Sequence, residues 1–402
     1  MNGSSRSGPR VAVLAEFYPS RRDPVLGIWA HRQALAARDA GAEVRVLVLN
    51  RLLPPRAALA EGPVAAGRAL AARVSEPHAQ TLDGLAITYI PYVSPPRERF
   101  YPAWGRWAAA PLGLALRRLR RSFDFELLHA HNAVPAGDAA RIAAAGVPLV
   151  VSVHGGDVLH TALRGPAGAA AVRRGLRAAQ LVLANSQGIA ELSRASGAGE
   201  TRVVHLGTDL PTIQRPRLGE GPASLVTVGH LIARKRQADV LRALAVLGPR
   251  HPQLRYTIIG EGPERGALEA LAERLEVADR VEFLGQLDPA DALARARRAT
   301  LFVMPSTEEA FGVAYIEAMA AGIPAIGCRG EPGPEEIAAA GDGFLLVPPG
   351  DIERLTQRID ELLSDPQRLR EAAQRARATV AESFTWERCG EETLAAYRYV
   401  LR

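Results

Sequence analysis

Cysteine is scarce in this chain of 402 residues. Its two cysteines, Cys328 and Cys389, are 389 − 328 = 61 positions apart and form no CxxC pair. Paired cysteines at short spacing mark most thiolate metal sites and redox motifs, so the sequence excludes these two kinds of site. The sequence therefore predicts a reducing compartment and two buried thiols.

Long apolar runs are also missing, since no stretch of 18 consecutive apolar residues occurs. We therefore expect no membrane-spanning helix. The first ten residues, MNGSSRSGPR, are polar and do not fit a secretory signal, which predicts a cytoplasmic protein. The net charge of 49 − 43 = +6 suits an anionic ligand or a membrane surface without requiring either. Nucleic acid is not an expected partner, because no basic stripe with a known module occurs.

What is present is an alternation of short apolar runs with longer helical patterns, typical of parallel sheets built from strand-helix-strand units. One helical pattern, GIWAHRQALAARDAG, is expected to end at Gly41. The predicted strands of the first half are RVAVLA from Arg10, AEVRVLVL from Ala42, LAITYI from Leu85, FELLHA from Phe125, PLVVSVH from Pro148, LVLANS from Leu181 and RVVHL from Arg202. Those of the second half are ASLVTVGH, LRYTIIGEG, RVEFLGQL, TLFVMPS, IPAIGC and GFLLVPPG.

Residues 208–223, TDLPTIQRPRLGEGPA, interrupt this alternation with prolines and glycines, as a linker does. The predicted fold class is therefore α/β, with doubly wound parallel-sheet domains at residues 1–210 and 211–380. Two such domains would face across a cleft at the carboxyl ends of their strands, where ligands of open sheets bind. A last helical stretch covers residues 381–402.

The second half carries several features of an anion site. Glycines follow three predicted strands, at Gly229, Gly260 and Gly285, and each allows a backbone to approach a ligand closely. Lys235 lies in a basic cluster after the first of these turns. A helix expected to begin near Phe311-Gly312 would add backbone N–H groups and the positive end of its dipole.

Two carboxylates in and near this apolar helix need an explanation. Glu309 is expected close to its start and Glu317 lies among apolar residues inside it. A carboxylate can accept two hydrogen bonds from a vicinal diol, and a nucleotide sugar offers such hydroxyls on its ribose and on its sugar. The pair could thus hold both ends of one donor.

The stretch EAFGVAYIEAMAAGIPAIG, with seven residues between Glu309 and Glu317, resembles the E-x7-E motif of retaining glycosyltransferases of family 4, which have the GT-B fold. VGHLIARKRQADVLRAL, IIGEGPERGALEALA and RVEFLGQL resemble the donor domain of that family in order and spacing. FYPSRRDPVLGIWAHRQALAARDAG, LLHAHNAVPAG, VVSVHGGD and ANSQGIAEL have counterparts in its acceptor domain. The resemblance covers nearly the whole chain, and it implies that residues 381–402 form a closing helix that crosses back to the first domain.

The resemblance implies transfer of a hexose from a nucleotide donor, a UDP- or GDP-sugar, to a hydroxyl of a glycan, lipid-linked or small-molecule acceptor, as in cell-envelope polysaccharide synthesis. It implies retention of configuration, no cofactor and no metal; no D-x-D motif occurs. Lys235 would neutralise the diphosphate, Glu309 would hold the sugar and Glu317 the ribose. The remaining donor contacts would come from Gly260, Leu284, Phe311, Gly312 and Val313.

Two positions depart from the family pattern. His230 stands where relatives commonly have a phosphate-binding Arg, so either protonated His230 or Arg234 would take that role. Gly27 is a lone glycine where a Gly-Gly pair is frequent, which leaves open the phosphate contact expected from this loop. The departure at His230 keeps a second function possible, a catalytically silent sugar-nucleotide-binding subunit of a partner transferase. A third possible function is that of a GT-B nucleotide-sugar epimerase.

Histidines dominate the predicted acceptor side. His154 ends an apolar strand and matches the HG-x-D pattern, which implies a catalytic role in orienting donor sugar and acceptor. Asp157 is either a helix cap or an acceptor contact. His129 and His131 share one face of a strand, a spacing that can chelate a metal, but no third ligand is evident. We therefore expect His131 to line the acceptor side, without a metal.

Residues 97–121, RERFYPAWGRWAAAPLGLALRRLRRSF, mix aromatic residues with arginines. Such a mixture suits a peripheral membrane contact, where rings lie at headgroup depth and cations meet anionic lipid. The alternative is a surface helix whose aromatic side chains pack inward. The sequence leaves both interpretations open.

Overall fold

The computed structural model describes residues 8–20, 23–54, 56–75, 78–143, 146–212 and 222–402. The chain forms two compact units, Met1–His205 with Cys389–Arg402, and Leu206–Arg388. Each unit is a largely parallel sheet with helices, so the prediction of two parallel-sheet α/β domains is confirmed. Most of the predicted N-terminal polar segment, residues 1–7, and of the predicted linker, residues 213–221, lies outside the described residues.

The first unit contains a sheet with the strand order β3-β4-β2-β1-β5-β6-β7-β8 in its described part. The strands are β1 Arg10–Ala15, β2 Glu43–Arg51, β3 Ala79–Leu82, β4 Leu85–Tyr92, β5 Leu127–His131, β6 Leu149–Val153, β7 Leu181–Ala184 and β8 Thr201–Val203. The helices are α1 Ile28–Asp39, α2 Arg56–Ala60, α3 Pro63–Val74, α4 Arg97–Phe100, α5 Trp104–Arg120, α6 Asp138–Ala143, α7 Pro166–Ala178 and α8 Gln187–Ala195.

The second unit contains a parallel sheet with the order β11-β10-β9-β12-β13-β14. Its strands are β9 Ser224–Val228, β10 Arg255–Ile259, β11 Val281–Gly285, β12 Leu301–Val303, β13 Ala325–Cys328 and β14 Phe344–Val347. Its helices are α9 Gln237–Leu247, α10 Arg265–Arg274, α11 Pro289–Ala296, α12 Val313–Ala320, α13 Pro332–Ala340, α14 Ile352–Leu363 and α15 Pro366–Ser383. Helix α16, Trp386–Val400, begins in this unit and continues in the first.

The central strands are buried along their whole length because both faces of the sheet are covered. All five residues of β5 and all five of β6 are buried, as are all four of β7 and of β13. Continuous apolar runs of this kind are characteristic of parallel strands that lie between helices. This explains why the strands could be predicted from their apolar runs.

Strand β3 was missed by the sequence analysis. It pairs antiparallel with β4 at the edge of the sheet, and Leu82 lies opposite Leu85. Asp83 and Gly84 form the two-residue turn between them with φ values of 47° and 79°. Asp-Gly is a preferred sequence for a hairpin turn that needs two positive φ angles. The signal was present, but AQTL is too polar to be recognised as a strand alone.

Helix α1 ends as predicted. Gly41 has a φ of 114°, and the N–H of Ala42 donates to the carbonyl of Ala37 over 3.0 Å. A glycine in this position satisfies carbonyls that the last helical turn would otherwise leave unpaired.

Candidate functional site

The order of strands in the second unit marks where a ligand can bind. From β9 the chain proceeds to β10 and β11 on one side, then returns to β12 beside β9 and continues to β14 on the other. In open parallel sheets the loops diverge at such a reversal, and ligands bind outside the carboxyl ends of the strands there. The loop after β9 carries Lys235 and the loop after β12 carries Glu309, so the structure brings these two predicted residues together.

Lys235 and Glu309 form a largely buried ion pair. The Lys235 Nζ lies 2.5 Å from Oε2 of Glu309, and the side chains are 12% and 11% exposed. Ser306 donates its hydroxyl to the same carboxylate oxygen over 2.9 Å. Burial alone would raise the pKa of Glu309, but the charge and hydrogen bond of Lys235, with Arg234 and Ser306, lower it. Glu309 is therefore an oriented, ionised carboxylate.

Backbone hydrogen bonds join the two loops. The N–H of Thr307 donates to the carbonyl of Arg234 over 2.8 Å, and the Arg234 guanidinium donates to the carbonyl of Glu308 over 3.3 Å. The N–H of Glu309 donates to a carboxylate oxygen of Glu331 over 2.9 Å. Glu309 is thus held through its backbone N–H as well as through its side chain.

Helix α12 begins directly after Phe311-Gly312, as the sequence analysis expected. Its first residue is Val313, and Gly312 precedes it with a φ of 90°, which ends any helical path from Glu309. A Cβ at Gly312 would lie 2.4 Å from the Tyr315 ring, so this position requires glycine. Glu309 therefore lies in the preceding loop, not in the first turn of α12, and its partner is Lys235 instead of the helix dipole.

The other predicted residues of this helix lie at its start and in its second turn. The Phe311 side chain is buried, and the centre of its ring lies 5.6 Å from that of Phe384 in an edge-on contact. The part of Phe311 that can contribute to a site is therefore its backbone. Val313 and Glu317 are half-buried. The N–H groups of a first helical turn have no partner within the helix, and they attract anions.

Gly260 has a structural reason to be glycine. Its φ is 142°, and a Cβ there would lie 2.0 Å from the carbonyl oxygen of Gly229. The turns after β9 and β10 therefore pack backbone to backbone. On the next strand, Leu284 in β11 is half-buried.

His230 and Arg234 differ in their surroundings. His230 is exposed, and its carbonyl accepts a hydrogen bond from the Gln237 side chain over 3.2 Å. Arg234 is half-buried and donates to the carbonyl of Glu308. Burial has the largest single effect on the pKa of Glu309 and raises it, whereas the charge of Arg234 is among the effects that together lower this pKa. Arg234 is thus the cation beside the Lys235–Glu309 pair.

In the first unit the reversal falls between β1 and β5. Gly27 precedes α1, His131 ends β5, and His154 follows β6, so these predicted residues belong to adjoining strand ends. Gly27 has a φ of 71°, and a Cβ there would lie 2.2 Å from the backbone of Phe17. This glycine is therefore required for the close contact of two backbone segments.

Three histidines stack in this unit. The rings of His129 and His131 have centroids 4.6 Å apart, and those of His131 and His154 are 5.2 Å apart and nearly parallel. The Nδ1 of His131 lies 2.9 Å from the Nε2 of His154, a hydrogen-bond distance. Burial lowers the pKa of His154 to about 3 and places that of His131 well below its usual range. The pair is thus neutral.

Two neutral imidazoles that share one hydrogen bond carry one further proton, on one of their outer nitrogens. These are Nε2 of His131 and Nδ1 of His154, both buried and without a hydrogen-bond partner among the described residues. The indole N–H of Trp29, whose ring lies 6.1 Å from that of His154, has no partner among them either. This region can therefore donate to and accept from a hydroxyl.

His129 is a structural residue. Its Nδ1 lies 2.7 Å from the hydroxyl of Tyr397 and its Nε2 lies 2.7 Å from that of Ser152. Both nitrogens are thus occupied, and chelation together with His131 would break one of these bonds. The described residues contain no group of three or more His, Cys, Asp or Glu side chains that could hold a metal ion.

Asp157 is not a helix cap, since Gly155 holds that position in the turn Gly156–Thr161. Its carboxylate accepts the N–H groups of Ala133 over 2.8 Å and Val134 over 3.2 Å, and is buried. Burial raises its pKa to about 7, against the effect of these two bonds. Asp157 thus fixes the loop after β5.

The segment 97–121 packs some of its aromatic side chains inward and exposes others. Tyr101 and Trp104 are buried, whereas Phe100 and Trp107 are exposed. Tyr101 donates its hydroxyl to Glu16 over 2.8 Å, and Trp104 donates its indole N–H to the carbonyl of Pro95 over 3.0 Å. Only part of the aromatic set therefore packs inward.

The sequence analysis missed Glu16, Trp29 and Ser306. Glu16 directly follows β1, a position that could have been recognised because polar residues after a buried strand lie at the ligand-binding edge. Trp29 follows the predicted Gly27 loop. Ser306 gave no signal, since its role depends on the distance of 2.9 Å to Glu309.

Comparison with known proteins shows which family has this arrangement. A family model described as Glycosyl transferases group 1 matches residues 211–379, and one described as Glycosyltransferase Family 4 matches residues 26–211. Glycogen synthase of Mycobacterium tuberculosis is 28% identical, with 96% of this chain and 94% of that protein aligned. Exopolysaccharide phosphotransferase SCO2592 of Streptomyces coelicolor is 29% identical over 70% of this chain, which spans only 29% of that protein's length.

The crystal structure of Anabaena HepE in complex with UDP and glucose has a TM-score of 0.72, with 19% identity and coverage of 97% of this chain and 100% of that one. At this identity the likeness concerns the fold. The chain belongs to the group 1 glycosyltransferases of family 4, and it is a glycosyltransferase with the GT-B fold. Among its described residues, no helix has the length and apolar character needed to span a membrane.

Proposed function

We propose that this glycosyltransferase transfers a hexose from a UDP- or GDP-sugar held by the second unit. The observation that carries the proposal is the Lys235–Glu309 pair at the strand-order reversal, beside the start of α12. A diphosphate needs a nearby cation and backbone N–H groups, which Lys235, Arg234 and the N-terminus of α12 supply. The complex of HepE with UDP and glucose supports a nucleotide sugar as the donor.

The proposed reaction retains the anomeric configuration. The bond between the sugar C1 and the leaving phosphate oxygen breaks, a bond from C1 to the acceptor oxygen forms on the same face, and the acceptor proton passes to the leaving phosphate. Lys235 stabilises the charge that develops on the diphosphate, and loss of one such contact lowers kcat by about 10² to 10³. Glu309 holds sugar hydroxyls with its Oε1 and Glu317 holds the ribose.

His154 is the proposed catalytic residue of the first unit. Its neutral imidazole orients hydroxyls of the donor sugar and acceptor through Nδ1, while His131 holds its Nε2. The acceptor is a glycan, a lipid-linked sugar or a small molecule with a free hydroxyl. Asp157 supports this side indirectly, through the loop that follows His131.

The proposed reaction needs no metal, since Lys235 and Arg234 provide the positive charge near Glu309. Activity should therefore persist in EDTA. Turnover that is lost in EDTA and restored by a divalent ion would contradict this.

A peripheral contact with the cytoplasmic membrane face is proposed for α5. Trp107 and Leu114 are exposed one heptad apart, and Arg118 follows four residues later on the same face. Replacing Trp107 and Phe100 by Ala should weaken binding to anionic vesicles, whereas Leu163→Ala, at an exposed site elsewhere in the first unit, should not. Equal binding of all variants would oppose this contact.

The deciding experiment compares thermal midpoints of the wild type and Glu317→Ala with UDP-, GDP-, ADP- and dTDP-sugars. A ligand that binds only the native state raises the midpoint by mass action. We expect one nucleotide class to raise it and Glu317→Ala to reduce the shift. No shift with any saturating donor would refute the proposed donor site, while binding without hydrolysis or transfer would favour a silent subunit.

A further inference from the structure

A group of charged and aromatic residues lies at the carboxyl ends of β1, β2 and β4 in the first unit. Glu16 directly follows β1, Arg51 ends β2, Tyr92 ends β4, and Arg97 begins α4. These strands are neighbours in the sheet, so their ends share the edge where ligands of parallel sheets bind. The mechanism above uses none of these side chains.

Arg97 is held in a fixed orientation with its charge accessible. Its guanidinium carbon lies 4.2 Å from the centre of the Tyr101 ring, 5.1 Å from that of Phe17 and 5.6 Å from that of Trp104. The side chain is nevertheless 44% exposed. Contacts with aromatic faces orient a planar guanidinium without using its N–H groups.

Most of the donors of Arg97 are not taken up within the described part of the chain. A guanidinium has five N–H donors. Among the described residues, the guanidinium of Arg97 makes a polar contact with Glu16, whose Oε1 lies 3.5 Å from Nη1 of Arg97. Glu16 also accepts the Tyr101 hydroxyl with its other oxygen, so its carboxyl group is divided between two partners. Arg97 can therefore bind a further oxyanion in the two-pronged manner typical of arginine.

A second, independent observation also points to a missing partner. Tyr92 is 2% exposed, and its hydroxyl has no hydrogen-bond partner among the described residues. Burial first, and then the charge of Glu16, raise the pKa of Tyr92, against the charges of Arg51 and Arg97. The hydroxyl thus lies in the field of the same charged groups. Leaving such a group unpaired is destabilising, and a bound polar group or water would offset this.

Arg51 adds a second fixed positive charge. Its Nε donates to the hydroxyl of Ser94 over 2.9 Å, and its guanidinium carbon lies 4.5 Å from the centre of the Trp104 ring. Two guanidiniums and one carboxyl group give the cluster a net positive charge even when Glu16 is ionised.

We infer that Arg97, supported by Arg51 and Tyr92, binds an oxyanion carried by the acceptor, a phosphate or a carboxylate group. The inference rests on the proposed function in assigning this ligand to the acceptor. It predicts that the acceptor is an anionic sugar or polyol, because Arg97 is accessible and has more N–H donors than its contact with Glu16 uses.

Glu16 makes this binding depend on pH. Burial raises the pKa of Glu16 to about 7, helped by Asp157 and opposed by Arg97, Tyr101 and Arg51. Below this pH the carboxyl group of Glu16 is protonated and Arg97 is available to the ligand. Above it the Glu16 carboxylate competes with the ligand for Arg97. Binding of the oxyanion should therefore weaken as the pH rises through 7.

The test uses inorganic phosphate and acetate as probes. Thermal midpoints of the wild type, Arg97→Gln and Arg99→Gln are measured against each anion at pH 6 and constant ionic strength. Arg99 is exposed and on the same short helix, so its replacement changes the net charge equally. We expect at least one anion to raise the midpoint of the wild type and of Arg99→Gln, and Arg97→Gln to lose more than half of that rise.

The outcomes separate the ligands and the two proposals. A shift with phosphate alone assigns a phosphate group, and a shift with acetate alone assigns a carboxylate. Equal shifts in all three proteins, or none, would overturn the inference. If Arg97→Gln does not fold, Arg97→Lys should show a reduced shift because it keeps the charge but loses the planar fork. The nucleotide sugar that raises the wild-type midpoint, titrated into the same proteins, reports on the donor site separately and should shift all three alike.

Discussion

The ion pair of Lys235 and Glu309 shows how the ionisation of one residue depends on its surroundings. The two residues are 74 positions apart in sequence, and their ion pair exists because the loops after β9 and β12 meet at the strand-order reversal. Their identities could be inferred from motifs. The motifs could not show that Lys235 keeps Glu309 ionised in a buried position, because the ionisation of Glu309 also depends on its burial and on Ser306.

Lys235→Met should destabilise the protein by about 3 kcal/mol or more at pH 7, because a buried carboxylate is left without its counter-charge. The lowered pKa of Glu309 stabilises the wild type above the ordinary carboxyl value of 4.5, and this contribution is lost as the pH falls through the folded value. Without Lys235, burial would raise that pKa. The deficit of the variant should therefore shrink between pH 7 and pH 5, as measured by denaturant unfolding.

The double variant Lys235→Met/Glu309→Gln is the control for this effect. It carries no buried carboxylate at this position, so its deficit should be similar at both pH values. A deficit of the single variant that is as large at pH 5 as at pH 7 would show that Glu309 is not the cause.

Asp157 and Glu16 show where residue-level prediction fails. The sequence placed Asp157 in a motif, but its two backbone partners, Ala133 and Val134, are more than 20 positions away. Glu16 was not singled out, because a carboxylate after a strand is common and only its buried contact with Tyr101 makes it unusual. In both cases the deciding contacts come from distant segments.

At the scale of elements, close backbone contacts shape the candidate donor site. Gly260→Ala should lower the thermal midpoint and weaken nucleotide-sugar binding, because the new Cβ would lie 2.0 Å from the carbonyl oxygen of Gly229 and the φ of 142° is strained for alanine. The turns after β9 and β10 would have to separate. Thermal midpoints with and without UDP-sugar measure both effects.

Gly266→Ala is the matched control, since a Cβ at Gly266 in α10 meets nothing within 4 Å. Alanine favours a helix over glycine by about 1 kcal/mol, so this variant should be as stable as the wild type or more so. Unchanged stability and binding in Gly260→Ala would mean that the turn adjusts without loss.

The elements also show how far the sequence predicts the fold. Each strand that is a continuous apolar run was predicted, because burial between helices leaves that pattern in the sequence. β3 was missed because an edge strand needs apolar residues on one face at most. The start of α12 next to Gly312 was predicted correctly, but the closeness of the Tyr315 ring, which leaves no room for a Cβ at Gly312, becomes visible only in the fold.

At the scale of the whole molecule, α16 connects the end of the chain to its beginning. From Cys389 onward this helix belongs to the first unit, where Thr393 accepts a hydrogen bond from Gln33 over 3.1 Å and Tyr397 contacts His129. Residues more than 260 positions apart are thereby joined. The sequence shows a helical pattern here, but the polar partners of that helix become visible only in the fold.

Tyr397→Phe should destabilise the first unit by about 1 to 3 kcal/mol, because His129 is buried and loses the partner of its Nδ1. For a unit of this size each kcal/mol lowers the midpoint by about 2 to 4 °C. Tryptophan fluorescence during unfolding follows the first unit, which contains Trp29, Trp104 and Trp107, whereas the second contains Trp386 alone.

Tyr399→Phe separates the lost hydroxyl from any general effect of changing α16. Tyr399 is exposed and its ring lies 3.7 Å from the Arg202 guanidinium carbon, a contact that phenylalanine preserves. This variant should therefore unfold like the wild type. If both variants unfold at the wild-type midpoint, then His129 finds another partner or water when Tyr397 is changed, and the end of α16 stabilises the first unit through its apolar side chains instead.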